Sequence, residues 1–81
     1  MEKRMIRGRE MYLGVSTEEL IAWFRENPSV ELETSGGITR WLRFNETKNE
    51  IGITDDIHYD WYTTDEFRKY YGSWYWIFFV M

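Results

Sequence analysis

The chain lacks cysteine altogether and has one proline and one histidine among its 81 residues. The absence of cysteine excludes a disulfide framework, a thiol nucleophile and a cysteine-based zinc site, and it favours a reducing, cytoplasmic setting. The sequence also has no nucleophile elbow, no phosphate-binding loop and no dinucleotide fingerprint. A lone histidine does not complete a catalytic constellation. We therefore predict a non-enzymatic protein that uses no cofactor and no metal.

Long apolar runs are also missing. The C-terminal run, residues 74–80, has seven residues, whereas a membrane-spanning helix needs about 20. The charged N-terminus is not followed by the apolar stretch that a secretory signal requires. We expect a soluble, unexported protein with no membrane partner.

Charge is unevenly distributed along the chain. Residues 1–10 hold four cations and two acids, a net of +2, while the remaining six cations and twelve acids sum to −6. The sequence predicts a mobile basic arm over residues 1–10 and a single α+β domain over residues 11–81. An acidic domain disfavours nucleic-acid binding, which depends on neutralising phosphates, and it suits solubility or attraction to a basic partner.

Aromatic residues are abundant, with 5 Trp, 6 Tyr and 5 Phe. Each can remove about 150–250 Å² from water, so together they can exceed what one small core encloses. Aromatic side chains left at the surface favour an interface.

Two capping boxes predict the helices. Ser16 with Glu19 begins one helix that runs to about Asn27, before the only proline, and Thr63 with Glu66 begins a second that ends near Gly72. The two starts resemble each other, either through duplication or because short amphipathic helices converge on this pattern. Both helices are expected to pack on the same sheet.

Alternating apolar residues predict the strands. Residues 11–15 form the first, with Met11, Leu13 and Val15 on one buried face. Residues 30–34 and 38–44 form a hairpin around Gly36 and Gly37, and residues 50–54 add a third strand to it. Residues 57–62 are extended and irregular, and residues 74–80 form the last strand. The predicted fold is α+β, with two short helices on one face of a largely antiparallel four- to five-stranded sheet.

The last strand is apolar on both faces, because Trp76 and Phe78 alternate with Ile77 and Phe79. Such a strand is normally central and covered on both sides. We therefore expect the second face to be covered by homodimerisation or by a bound target.

Tryptophan and arginine are the residue types most enriched at binding hot spots. Trp41 and Arg43 share the strand face opposite Leu42 and Phe44, so they form a candidate recognition pair, although Trp41 could instead cap the edge of the core. Further candidates come from the aromatic and acidic segments near the C-terminus. The predicted partner- or ligand-binding residues are Trp41, Arg43, Tyr59, Asp60, Trp61, Tyr62, Trp74 and Trp76.

Two acidic features allow other interpretations. His58 lies among Asp55, Asp56 and Asp60, but this spacing is unspecific and is more typical of a solvated loop than of a cation site. Another interpretation is that several carboxylates together imitate the phosphates of a nucleic acid, although charge runs are usually solvated faces. They are Glu31, Glu33, Glu46, Glu50, Asp55, Asp56 and Asp60.

The sequence favours a small binding module, dimeric and of the kind that phages and mobile elements use to block host machinery by sequestering a protein. The alternative is a small-ligand protein that holds a nucleotide in an aromatic and arginine pocket at a dimer interface. A third interpretation is purely structural, with the aromatic residues serving the core and an oligomer interface.

Overall fold

A computed structural model describes residues 1–34, 40–54 and 58–81 of the chain. Within these residues, seven strands form one sheet in the order β1-β2-β7-β3-β4-β5-β6, and every neighbouring pair is antiparallel. The elements are β1 Glu2–Ile6, β2 Arg9–Ser16, α1 Thr17–Glu26, β3 Leu32–Thr34, β4 Trp41–Asn45, β5 Glu50–Thr54, β6 Asp60–Thr63, α2 Thr64–Tyr71 and β7 Tyr75–Val80.

The α+β class and the two helices agree with the sequence prediction, but the predicted number of strands was wrong. One additional strand is β1, which occupies part of the expected basic arm and pairs with β2 through a two-residue turn at Arg7 and Gly8. Both turn residues have positive φ, 52° and 79°, which is the signature of a type I′ hairpin turn. The other is β6, which lies within the segment expected to be irregular and pairs with β5. The glycine pair expected to turn the β3–β4 hairpin lies outside the described residues.

Both predicted capping boxes are confirmed. The Glu19 amide donates to the Ser16 hydroxyl at 3.1 Å, and the Ser16 amide donates to the Glu19 carboxylate at 3.0 Å. The same reciprocal pair joins Thr63 and Glu66, at 3.1 and 2.9 Å. Each box ends a strand and begins a helix within one residue, so β2 and β6 run directly into α1 and α2.

Both helices pack against one side of the sheet, which we call the helix face. Its core includes Leu20 and Phe24 from α1, Phe67 from α2, and Trp76 and Phe78 from β7. The opposite side of the sheet is not covered by a helix of the described residues, and we call it the open face.

A bulge in β2 changes which side chains reach the core. Where β2 pairs with β7, Met11 lies opposite Phe79 on the open face, but Val15 lies opposite Trp76 on the helix face. The register between the two strands shifts between residues 12 and 15. Gly14 has a φ of +60°, which glycine adopts without strain. The sequence prediction that Met11 and Val15 share one face was therefore wrong.

Thr17 joins the three elements at one end of the helix face. Its buried hydroxyl accepts a hydrogen bond from the Trp76 indole Nε1 at 3.0 Å and donates to the Tyr71 carbonyl. The first residue of α1 is thereby tied to the last residue of α2 and to β7.

Candidate functional site

The open face carries a row of cross-strand partners that spans six of the seven strands. From β1 to β5 they are Arg4, Met11, Phe79, Glu33, Trp41 and Thr54. The glutamate therefore stands between two aromatic side chains. A sheet face that meets water is usually polar throughout, whereas this row mixes charged, apolar and aromatic groups.

A second row on the same face joins Arg43, Gly52 and Trp61 across β4, β5 and β6. The Trp61 indole lies against Gly52, since a Cβ at residue 52 would stand 3.0 Å from three of its ring atoms. Gly52 is buried as a result, while the indole itself keeps 43% of its surface exposed. A side chain at residue 52 would occupy the space that the indole takes, so this glycine positions Trp61.

Arg43 is the centre of a connected group on this face. Its guanidinium donates a hydrogen bond to the Glu31 carboxylate and lies 5.3 Å from the centre of the Tyr59 ring. The Tyr59 ring is in turn 5.8 Å from that of Trp61. The Arg43 cluster, Glu31, Arg43, Tyr59 and Trp61, thus combines a paired cation with two adjacent aromatic rings.

A second arginine repeats this arrangement near the middle of the sheet. The Arg9 guanidinium lies 4.8 Å from the centre of the Phe79 ring, and it is 3.5 Å from the Glu33 carboxylate. Both arginines therefore cover an aromatic ring and pair with a glutamate from the β3 segment. Because an exposed guanidinium remains well hydrated while its plane covers an apolar ring, each one shields part of the open face from water.

Two ionisable groups of the Arg43 cluster, Arg43 and Tyr59, have pKa values above their ordinary ones. The hydrogen bond that Arg43 donates to Glu31, followed by the negative charge of Glu31, raises the pKa of the Arg43 guanidinium. Burial is the main cause that raises the pKa of Tyr59, and the Glu31 charge adds to it, although Arg43 opposes the rise. A fixed cation and a neutral phenol suit hydrogen bonding and stacking better than proton transfer.

Four of the eight predicted site residues lie together on the open face: Trp41, Arg43, Tyr59 and Trp61. The other four lie on the helix face or at its margin. Asp60 pairs with Ile53 and is exposed. Tyr62 packs on Phe67 and Tyr71 of α2. Trp74 is 45% exposed beside Tyr71, whereas Trp76 is in the core at 4% exposure and offers no surface to a partner.

The site analysis from sequence missed Glu31, Gly52, Arg9 and Phe79 as parts of this surface. The alternation around β3 does predict Glu31 and Glu33 on one strand face. Their arginine partners come from β4 and β2. The predicted hairpin already places β4 beside β3, whereas β2 is separated from β3 by β7, so Arg9 reaches Glu33 across that strand. Only the tertiary strand order brings β2 this close to β3. No local pattern in the sequence carries that information.

The acidic residues do not form one phosphate-like array. Glu31 and Glu33 pair with arginines on the open face, while Asp60 lies on the other side of β6 and Glu46 lies in the β4–β5 turn. Glu50 pairs with Asn45 on the open face, and the remaining candidates, Asp55 and Asp56, lie outside the described residues. In the part of the chain that the structure describes, no three His, Asp or Glu side chains are grouped so that they could hold a metal ion.

Among the cavities that the described residues line, two adjoin predicted site residues. One of about 260 Å³ lies beside Arg43 and Glu31 and is also lined by Pro28, Val30 and Phe44. The other is about 170 Å³ and is lined by Arg40, Ile53, Thr54, Asp60 and Tyr71. Both are smaller than the roughly 300–1,000 Å³ of typical small-ligand pockets.

No protein-family model, curated protein or solved structure matches this chain. Over the described ranges, neither helix is long and apolar enough to cross a membrane.

Proposed function

We propose that this chain is a non-enzymatic binding protein that captures a protein partner on the open face of its sheet and sequesters it. The Arg43 cluster is the observation that supports the proposal. In size and acidity the chain resembles the small inhibitors with which phages and mobile elements block host machinery, and we include that role in the proposal. We place its action in the cytoplasm, because disulfides are rare in that reducing compartment and this chain has no cysteine to form one.

The composition of the Arg43 cluster supports protein binding. Trp, Tyr and Arg carry most of the binding energy in protein interfaces because they combine a large rigid surface with directional hydrogen bonding. Here Tyr59 and Trp61 are already held against each other, and Arg43 is held by Glu31. Side chains that are fixed before binding lose little conformational entropy when a partner arrives.

The charge of the domain indicates the kind of partner. Residues 11–81 carry a net charge of −6, so long-range attraction favours a partner with a basic surface. The open face has cations of its own, but Arg9 and Arg43 are both paired with glutamates. A basic partner therefore does not meet unpaired positive charge at these two positions.

The experiment is affinity capture from a host lysate, followed by calorimetry on the identified partner. Trp61→Ala and Arg43→Ala should each weaken binding by about tenfold or more, as expected for hot-spot residues. The matched controls are Tyr70→Ala and Arg25→Ala, which remove an exposed aromatic and an exposed arginine from the helices. The controls should bind like the wild type.

Two results would contradict the proposal. If the open-face variants bind the partner as tightly as the wild type, the partner uses another surface. If no open-face or helix-face variant changes any binding, the aromatic residues serve packing alone, as the purely structural interpretation expects.

A nucleotide-binding function is the second candidate, and the cavity beside Arg43 is the feature that favours it. Its volume of about 260 Å³ is nevertheless small for a nucleotide. Thermal denaturation with a panel of nucleotides distinguishes the two functions. We expect no shift in Tm, while a shift that disappears in Arg43→Ala would favour the nucleotide.

A further inference from the structure

The strand β1 lies at an edge of the sheet, and no strand of the described residues pairs with its outer side. It is the terminal strand in the sheet order, and all five of its residues are exposed. The two-residue turn is flanked by the pair Ile6 and Arg9. In a two-residue hairpin this flanking pair is a hydrogen-bonded pair of the antiparallel ladder. Since hydrogen-bonded and non-hydrogen-bonded pairs alternate, the backbone N–H and C=O groups of Lys3 and Met5 point away from β2.

The opposite edge of the sheet offers fewer such groups. On β6 the Thr63 amide already donates to the Glu66 carboxylate at 2.9 Å, as part of the capping box. The strand then continues directly into α2. Of the two edges, β1 is therefore the better template for another strand.

We propose that β1 pairs antiparallel with β1 of a second copy, about a two-fold axis through Lys3, and joins two sheets into one. This interface is separate from the Arg43 cluster and does not depend on the function proposed above. The two-fold axis places both open faces on the same side of the joined sheet.

The sequence of β1 is self-complementary in this register. Glu2 lies opposite Arg4 of the second copy, and Arg4 lies opposite its Glu2. These are non-hydrogen-bonded positions of the new ladder, where side chains approach each other most closely. Within one copy, Arg4 Nε already donates to Glu2 Oε2 at 2.6 Å, so the same groups can exchange partners between copies.

The remaining positions also fit this register. Met5, which is 62% exposed, meets Met1, which is 56% exposed, and both lose apolar surface to water on pairing. Lys3 lies opposite Lys3 of the second copy, which brings two positive charges together. In each chain, however, the Lys3 ammonium is 3.5 Å from the Glu10 carboxylate. Shifting the axis to Arg4 would instead bring two arginines together at the closest positions.

Two five-residue strands bury less than the roughly 1,200 Å² of a standard interface. We therefore expect a weak dimer whose population rises with concentration. Lysine at a sheet edge usually opposes such pairing, and here Glu10 offsets its charge.

Charge exchange tests the register. Sedimentation equilibrium up to about 1 mM should show self-association of the wild type. Arg4→Glu and Glu2→Arg should each weaken it by about tenfold or more, because each places like charges opposite each other. The double variant carrying both changes should restore it. Arg7→Glu, the same change of charge at the exposed turn, is the control and should leave association near that of the wild type.

A cysteine cross-link tests the axis directly, since the chain has no cysteine of its own. Residue 3 and its symmetry mate form a hydrogen-bonded pair, with Cα atoms about 5.5 Å apart. This lies within the range of a disulfide, so Lys3→Cys should form a covalent dimer on mild oxidation, whereas Arg7→Cys should remain monomeric.

Any of three results would overturn the proposal. The first is a folded wild type that stays monomeric throughout, with circular dichroism confirming the fold. The second is a double variant that associates no better than the single ones, or an Arg7→Glu variant that weakens association equally. The third is equal cross-linking at residues 3 and 7. If the wild type forms the dimer but captures no protein partner, the result would instead count against the proposed function alone.

Discussion

The indole of Trp61 lies against Gly52, and a Cβ at residue 52 would stand 3.0 Å from its ring atoms. This contact explains how a glycine in the middle of a strand is compatible with a stable sheet. The neighbouring strand supplies the apolar cover that a side chain at residue 52 would otherwise provide.

We predict that Gly52→Ala lowers the free energy of unfolding by about 1 kcal/mol or less, because the partly exposed indole can tilt away from the added methyl group. In a Trp61→Ala background the same change should raise stability by about 0.5–1 kcal/mol, since alanine suits a strand better than glycine. Urea denaturation of the four proteins gives this double-mutant cycle. Equal effects in both backgrounds would show that the two residues are not coupled.

Thr17 gives a second prediction. Thr17→Val keeps the shape of the side chain but leaves the buried Trp76 N–H without its acceptor at 3.0 Å, so we expect a loss of about 1–3 kcal/mol in the free energy of unfolding. Thr17→Ser keeps the oxygen and should lose much less. In a Trp76→Phe background the cost of Thr17→Val should shrink. A cost that does not shrink would assign the effect to the bond with the Tyr71 carbonyl.

The cap glutamates predict a pH dependence. Hydrogen bonds from the Ser16 and Thr63 backbone lower the pKa of Glu19 and Glu66 below the ordinary 4.5. Because the folded pKa is the lower one, the stabilisation is complete above the unfolded pKa and is lost as the pH falls through the folded pKa. Glu66→Gln should therefore flatten the decline of stability in acid.

Urea denaturation over a pH series measures this slope. Glu46→Gln is the matched control, because Glu46 lies exposed in the β4–β5 turn, and it should keep the slope of the wild type. A Glu66→Gln profile parallel to that of the wild type would mean that this cap contributes nothing to the pH dependence.

Arg9 and Arg43 on the open face should contribute little to folding. Exposed ion pairs are worth about 0.2–1 kcal/mol, and exposed cation–π contacts are worth a similar amount. Arg43→Ala and Arg9→Ala should each lower the free energy of unfolding by about 1 kcal/mol or less, and the loss should shrink in high salt as ion pairs are screened. A loss above about 2 kcal/mol for Arg43→Ala would give this residue a structural role and weaken its use as a binding probe.

Local sequence patterns were sufficient for the helices and for much of the sheet. The capping boxes at Ser16 and Thr63 depend on residues only three positions apart, and β5 follows from its short alternating pattern. The alternation of β4 also placed Leu42 and Phe44 opposite Trp41 and Arg43, as the register shows. Sequence reasoning did not predict β1, because its turn depends on Arg7 adopting positive φ, which the residue type does not favour.

The sequence by itself determined the elements whose causes lie within a few residues, together with an acidic, aromatic-rich composition. Tertiary structure alone decided where β2 and β7 join the sheet, and with it the pairing of Glu33 with Arg9, the contact of Arg9 with Phe79 and the burial of Trp76. The physical reason is that these contacts join strands far apart in the chain. Their register follows from how the whole apolar surface packs, and the bulge at Gly14 shows that one residue can exchange the two faces of a strand.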